Sequence, residues 1–263
     1  MAILTTTWQH LAGLPELDIH TISEDWALTA SLKAHWSLIA QDMGLPPSRW
    51  LDTGGDRMYS AVMYLRTWFD LDAPVGEDDT IQSHTSLVAK KSPHSLAVTK
   101  YTVNGELRGE AEFLTSLIKR QTRGSNKKFA KVRGIWTTPD YNTEAIDTLL
   151  DQHHAKKLTA ATGSPDLVHQ VNRIRDFNAA DFLYFKNFVV IAKAAEWAQN
   201  RAAPPRLNAT RNAWFFGNVE DGDDIHAHVA RDGDAFATTL TDADGRLLFC
   251  SDGTAPTVDI KVR

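Results

Sequence analysis

The order of elements repeats along this 263-residue chain, and the repeat constrains the fold more than any single motif does. Leu32, Trp36, Ile39, Ala40 and Met43 recur with the period of a helix that buries one face, and Gly44-Leu45-Pro46-Pro47 stops it. Aromatic and β-branched runs then mark strands at 57–69, 80–89, 95–103 and 109–117. Phe185, Phe188, Val189, Ala192 and Ala195 mark a second buried helix, followed by strand patterns at 211–218, 223–230, 236–240 and 247–250. The acidic turn before the third element repeats too, as Val75-Gly76-Glu77-Asp78-Asp79-Thr80-Ile81 and Val219-Glu220-Asp221-Gly222-Asp223-Asp224-Ile225. Asn104-Gly105 tolerates the two positive φ angles of a tight hairpin turn, and Asp244-Gly245 stands at the matching place in the second half.

A long helix followed by an antiparallel sheet, twice over, predicts an α+β chain in which each curved sheet buries its inner face on its own helix. Two such units paired edge to edge make a double hot-dog and remove exposed sheet edges. The expected boundaries are a first unit at 1–135, a connector at 136–164 and a second unit at 165–263. The stretch from 120 to 165 is broken by Gly124, Pro139, Gly163 and Pro165, and only Ala145, Leu149 and Leu150 suggest a short helix there.

With 43 % apolar and 23 % charged residues the chain can bury a core, and disorder is excluded. The single cysteine, Cys250, removes any disulfide framework, and its apolar strand predicts a buried, inert thiol. A net charge of −5 argues against nucleic acid as a partner. No apolar run approaches the roughly 20 residues of a membrane span, and no leader is evident, so a cytoplasmic protein is expected. A monomeric pseudo-dimer or a homodimer is expected. Phosphate-binding glycine loops and the hydrolase elbow Gly-x-Ser-x-Gly are absent from the sequence. The pairs His226/His228 and His153-His154 lack a third ligand at a metal-binding spacing and read as solvent-facing.

Five groups of residues carry a resemblance. Ser23-Glu24-Asp25-Trp26, His35-Trp36-Ser37-Leu38-Ile39 and Asp52-x-x-Gly55-x-Arg57-Met58-Tyr59-Ser60-Ala61 lie in the first half. Asp176-Phe177-Asn178-Ala179-Ala180-Asp181-Phe182-Leu183-Tyr184-Phe185 and Ala195-Glu196-Trp197 lie in the second. In order and spacing the chain resembles the acyltransferase/decarboxylase family typified by the leinamycin-pathway enzyme, from about Leu14 to the C-terminus. It departs from that pattern at Ala179, where glycine is usual, at Lys186 in place of a small residue, and at Ala194, where an arginine is usual. The resemblance implies a double hot-dog enzyme that handles acyl thioesters of coenzyme A or of an acyl carrier protein in polyketide or secondary-metabolite biosynthesis, with no bound cofactor. It implies that Tyr59 accepts the acyl group.

A phenol, with a reference pKa of about 10, attacks a thioester only when neighbours stabilise its charge. Arg57 shares a strand face with Tyr59 and Arg66 does not, and both are candidates. Decarboxylation of a malonyl-type thioester needs donors at the thioester oxygen, which unpaired amides at a helix N-terminus supply. Those turns are expected near Ala30–Lys33 and Asp181–Tyr184, with Asn178 as an added amide donor and Ser23 within reach. The alternative is a thioesterase or dehydratase with a carboxylate or histidine base, for which Asp176, Glu24 and His35 are the candidates. A third reading is a non-catalytic domain that binds a carrier protein. Between Lys119 and Arg133 there are basic residues and no acidic one, so Arg123, Lys127, Lys128 and Lys131 are candidates for the coenzyme A phosphates or the acidic surface of a carrier protein.

Overall fold

A computed structural model describes residues 3–132, 136–159, 161, 163–199 and 206–257. The first half builds β1 (Thr5–Leu11), α1 (Glu24–Met43), β2 (Tyr59–Phe69), β3 (Thr80–Lys91), β4 (His94–Val103) and β5 (Glu106–Arg120). Between the halves lie β6 (Phe129–Lys131) and α2 (Thr143–Lys156). The second half builds β7 (Leu167–Gln170), a single turn α3 (Arg173–Asp176), α4 (Phe185–Ala198), β8 (Thr210–Phe215), β9 (Asp224–Asp232), β10 (Ala235–Asp242) and β11 (Leu247–Thr254). The strands join in one antiparallel sheet in the order β1-β3-β4-β5-β2-β8-β11-β10-β9-β7, with β6 added to β5. Outward from the β2–β8 seam, the first half runs β2-β5-β4-β3-β1 and the second β8-β11-β10-β9-β7. The two halves therefore share one topology.

Their turns match in detail. The N–H of Gly76 donates to the Asp79 carboxylate and that of Glu220 to the Asp223 carboxylate, both at 2.9 Å. Before each helix the chain makes a similar loop, one residue longer in the second half. Asp18 Oδ1 accepts from the N–H groups of His20 and Thr21, and Asn178 Oδ1 accepts from those of Ala180 and Phe182. Ser23 N–H donates to the Glu16 carbonyl, as Tyr184 N–H does to that of Asp176. Asn104 and Gly105 both have positive φ, as the hairpin requires, whereas at Asp244-Gly245 only the glycine does and the register shifts at Leu240/Thr241.

Four elements differ from the sequence expectation. Helix α1 starts at Glu24, eight residues before the apolar stripe at Leu32, because Ser23 caps it and Glu24 and Asp25 suit its positive end. Ala30–Lys33 is therefore mid-helix, and the second helix starts at Phe185, just past the expected turn. Strands β1 and β7 are sheet edges of mixed, half-exposed residues, so neither shows the apolar alternation that marks a strand in sequence.

Helices α1 and α4 bury Leu28, Leu32, Phe188 and Val189 against one face of the sheet. On β5, Phe113 joins that core, while the next residue, Leu114, points through the sheet to Ile146 and Leu149 of α2. Cys250 is buried on the α2 side, and burial raises its thiol pKa to about 11. Among the described residues no helix is long and apolar enough to cross a membrane.

At the centre lies Arg211 of β8, whose side chain is fully buried. Its guanidinium binds both Glu196 oxygens at 3.0 Å, Glu24 at 3.2 Å and Ser251 at 3.1 Å. Thr67 and Asn208 also donate to Glu24, and Thr238 donates to Glu196. Arg211→Ala would strand two buried carboxylates and is expected to destabilise the fold by about 3–5 kcal/mol, read as a lowered urea midpoint.

Candidate functional site

A cavity of about 310 Å³ opens where β2 and β8 cease to pair. The seam has five rungs, from Tyr64↔Trp214 to Trp68↔Thr210. Before it, β2 is bulged between Val62 and Tyr64, and Tyr59–Met63 borders the cavity on one side. Phe215–Asn218, leaving β8, borders it on the other. Helices α1 and α4 contribute Leu32, Trp36, Phe185 and Phe188, and α2 contributes His153. The wall is largely aromatic and aliphatic, and no carboxylate, lysine or arginine lines it among the described residues.

Tyr59 stands at one end. Its ring meets the edge of Phe182 at 5.0 Å, and Arg120 donates to its phenol oxygen at 3.4 Å while lying 5.3 Å from the ring centre. Arg57 lies 5.5 Å over the same ring. Arg120 is itself fixed by Asn126 and by the carbonyls of Ala180 and Asp181. Of the two cations expected near Tyr59, Arg57 is there. Arg66 instead pairs with Glu110 and Glu112 in the exposed part of the sheet. Arg120, at the end of β5, is the neighbour that sequence spacing did not reveal.

Asn178 also lines the cavity. Its Oδ1 is taken by two backbone N–H groups, so the group it can offer to a ligand is the Nδ2 amide. It is thus both the turn-former of its loop and an available donor. Close by, α4 begins at Phe185 with no side-chain cap, which leaves the first-turn N–H groups of Phe185 and Lys186 without an intrahelical acceptor. Both Tyr184 and Phe185 line the cavity, so the positive end of α4 is directed toward it.

The candidate bases are placed elsewhere. Asp176 is buried at the end of α3, and although burial would raise its pKa, hydrogen bonds from Arg175, the Asn172 N–H and His169 hold it down to about 2. Glu24 belongs to the Arg211 cluster; burial opposes its charge, but Arg211 and Lys193 keep its pKa below the usual value. His35 is fully buried against Ser95 at 2.9 Å. None of the three is among the cavity-lining residues.

Two histidines are. His94, the first residue of β4, faces Ser116 across the ladder, and His153 sits on the inward face of α2. Solvent exposure was expected of His153, but it is buried, follows Ile146 and Leu149 at helical spacing, and donates from Nε2 to the Phe215 carbonyl at 2.8 Å. Among the described residues no group of three or more His, Cys, Asp or Glu forms a metal-ligand set.

The basic run divides. Lys119 pairs with Asp52 and Asp56, and Arg120 belongs to the Tyr59 end. Arg123, Lys127 and Lys128 are exposed on the β5–β6 hairpin, whose Phe129 borders the cavity. Lys131 pairs by its backbone with Ile118; its side chain and Arg133 lie outside the described residues.

No protein-family model and no curated protein matches the sequence. Solved structures do match. An acyl-ACP thioesterase from Bacteroides thetaiotaomicron superposes with a TM-score of 0.67 at 10 % identity, over 95 % of this chain and 97 % of that one. A 12:0-ACP thioesterase from Umbellularia californica gives 0.68 at 10 % identity, over 95 % and 96 %. The fold is the helix-plus-antiparallel-sheet hot-dog fold of those thioesterases.

Burial lowers the His35 pKa from 6.5 to about 3. The unfolded chain takes up this proton near pH 6.5 and the folded chain does not, so stability is full above that pH and falls below it by about 1.4 kcal/mol per unit. His35→Gln is expected to show a slope shallower by that amount between pH 6 and 4 in urea melts; parallel curves for the two proteins would contradict the assignment.

Proposed function

We propose that this chain is an acyl-thioester hydrolase of double hot-dog architecture, acting on an acyl group carried by coenzyme A or by the phosphopantetheine of an acyl carrier protein. The observation that carries the reading is the apolar cavity at the seam, with an uncapped helix N-terminus and the Asn178 amide at its wall. At about 30 Å³ for a water-sized group, 310 Å³ admits roughly ten such groups, the size of a medium-length acyl chain. The likeness to the two acyl-ACP thioesterases supports the substrate class, and the mirrored strand order supports two units, 1–135 and 165–263, fused as a pseudo-dimer through the connector 136–164.

In this reading Asn178 Nδ2 and the first-turn amides of α4 stabilise the oxyanion that forms from the thioester carbonyl. Tyr59 supplies the nucleophile. Its phenol oxygen bonds to the carbonyl carbon, the carbon–sulfur bond breaks, and the phenol proton leaves on the pantetheine thiol. Arg120 and Arg57 stabilise the negative charge that develops on the phenol oxygen during attack. Water then cleaves the activated aryl ester. Arg123, Lys127 and Lys128 on the adjoining hairpin suit the phosphates of coenzyme A or the acidic face of a carrier protein.

A second reading shares the first step. If a carrier-protein thiol takes the acyl group from Tyr59 in place of water, the enzyme is an acyltransferase, with or without decarboxylation, as the family resemblance implies. The two cations on the Tyr59 ring favour it, since an aryl ester formed there is a good acyl donor.

With octanoyl-CoA, the wild-type protein is expected to gain the acyl mass in intact-protein mass spectrometry and to release free acid. Tyr59→Phe should lose both, and Asn178→Ala should lower kcat about 100-fold with little change in KM. An acyl adduct retained by Tyr59→Phe removes Tyr59 from this role. Product on an added carrier protein, rather than free acid, selects the transferase.

A further inference from the structure

Asn126 is buried at 1 % exposure, although Arg123, Gly124, Lys127 and Lys128 around it on the β5–β6 hairpin are exposed. A buried amide has to find partners, and those of Asn126 come from both halves of the chain. Its Oδ1 accepts from Arg120, Nε at 3.1 Å and Nη2 at 2.9 Å. Its Nδ2 crosses to the second half and donates to the Asp181 carbonyl at 2.7 Å and to that of Val219 at 3.4 Å. Its N–H donates to the Glu220 carboxylate at 2.7 Å, which also takes the Ser125 hydroxyl at 3.0 Å. In the repeated acidic turn Gly76 stands where Glu220 stands, so only the second turn has a side chain to receive the hairpin.

The loop that Asn126 grips is the one that presents Asn178. The N–H groups of Ala180 and Phe182 turn in to Asn178 Oδ1, and that of Asp181 to the Asn178 carbonyl. The carbonyls of Ala180 and Asp181 are met from outside: Arg120 Nη2 takes them at 2.6 and 3.0 Å, and Asn126 shares the second. Asp181 has a φ of 60°, a left-handed conformation that residues other than glycine seldom adopt. The shorter loop before α1 has no residue of positive φ. Such a conformation persists where its surroundings fix it, and here the fixing donors belong to a hairpin of the first half.

Arg120 also donates to the Tyr59 phenol, so Asn126 binds at once the cation beside Tyr59 and the turn that carries Asn178. Attack on a thioester needs the nucleophile and the oxyanion donor at a fixed separation, and a displacement of about 1 Å costs up to roughly 100-fold in rate. We propose that Asn126 is a positioning residue. It does not line the cavity, and it acts by setting the Asn178 amide against Tyr59. The assignment rests on the reading of Asn178 and Tyr59 as the groups that act on the thioester.

Its test is a double-mutant cycle in steady-state hydrolysis of octanoyl-CoA by the full chain. Asn126→Ala is expected to lower kcat about tenfold with KM kept within about twofold. The double variant Asn126→Ala/Asn178→Ala should be no slower than Asn178→Ala alone, because nothing is then left to position. A residue that only holds the hairpin together would instead multiply the two losses. Glu220→Ala releases the hairpin without touching the loop or Tyr59. It should show a smaller fall in kcat with the same dependence on Asn178, and it serves in the cycle should Asn126→Ala fail to fold. Losses that multiply, or an unchanged kcat in the single variants, would overturn the proposal and leave the hydrolase reading standing. A wild-type protein that neither hydrolyses octanoyl-CoA nor takes up its acyl group would overturn both.

Discussion

A guanidinium buried in the middle of an apolar core has to be neutralised on the spot, and the arrangement of both halves follows from how Arg211 is neutralised. Its carboxylate partners come one from each long helix, Glu24 from the first turn of α1 and Glu196 from near the end of α4. Thr67, directly across the β2–β8 seam from Arg211, donates to the same Glu24 oxygen that the guanidinium binds. Ser251 on β11 and Thr238 on β10 complete the shell. Two helices and four strands are thus tied to one charge whose removal from water is tolerable only with all partners in place. Any sliding of one half against the other would strand a charge, so the seam is held in register by electrostatics although it has only five rungs.

The same cluster explains why the two halves are alike in topology and unlike in chemistry. Helix α1 begins with Glu24, whose carboxylate and bound cation occupy the space at its N-terminus, whereas α4 begins with Phe185 and opens onto the cavity. The loops before them are alike in hydrogen bonding, the second longer by one residue, yet Asp18 stands in one and Asn178 in the other. In that turn the Oδ1 atom does the structural work, so aspartate and asparagine serve equally. Only asparagine adds an N–H donor, and it stands at the helix whose N-terminus meets the cavity. The N-terminus of one helix is closed by an ion pair that holds the halves together, and that of the other opens onto the cavity they share.

How much of this was legible depends on sequence distance. The repeat, the acidic turns and the Asn104-Gly105 hairpin are local patterns, and the sequence displayed them directly. The partners of Tyr59 and Glu24 are not local: Arg120 lies 61 residues from Tyr59, and Arg211 lies 187 from Glu24. Glu24 therefore resembled a candidate base when it is the counter-ion of a core arginine. Asp176 is different: its donors Arg175, Asn172 and His169 lie within seven residues, and it is the turn of α3 rather than sequence distance that gathers them on one carboxylate. His153 did carry a signal, since Ile146, Leu149 and His153 follow helical spacing, yet with no third ligand in sequence the His153-His154 pair reads as solvent-facing.

The cavity and its polar atoms have a common origin in the backbone. Phe216 gives its N–H to Leu248 on β11, so by the alternation of a strand the backbone of Phe215 faces the other way, toward β2. There β2 has no rung to offer, because the seam ends at Tyr64 just after the bulge. A carbonyl in that position needs a donor, and His153 reaches through from α2 to provide it. That bond commits Nε2 and fixes the tautomer, leaving Nδ1 as an unmatched acceptor beside the gap. Continuing the seam by one more rung would satisfy the carbonyl from β2, free His153 and close the space between the strands. The opening in the sheet and the hydrogen-bonding demand of its wall are therefore one feature, set by where the pairing of β2 with β8 stops.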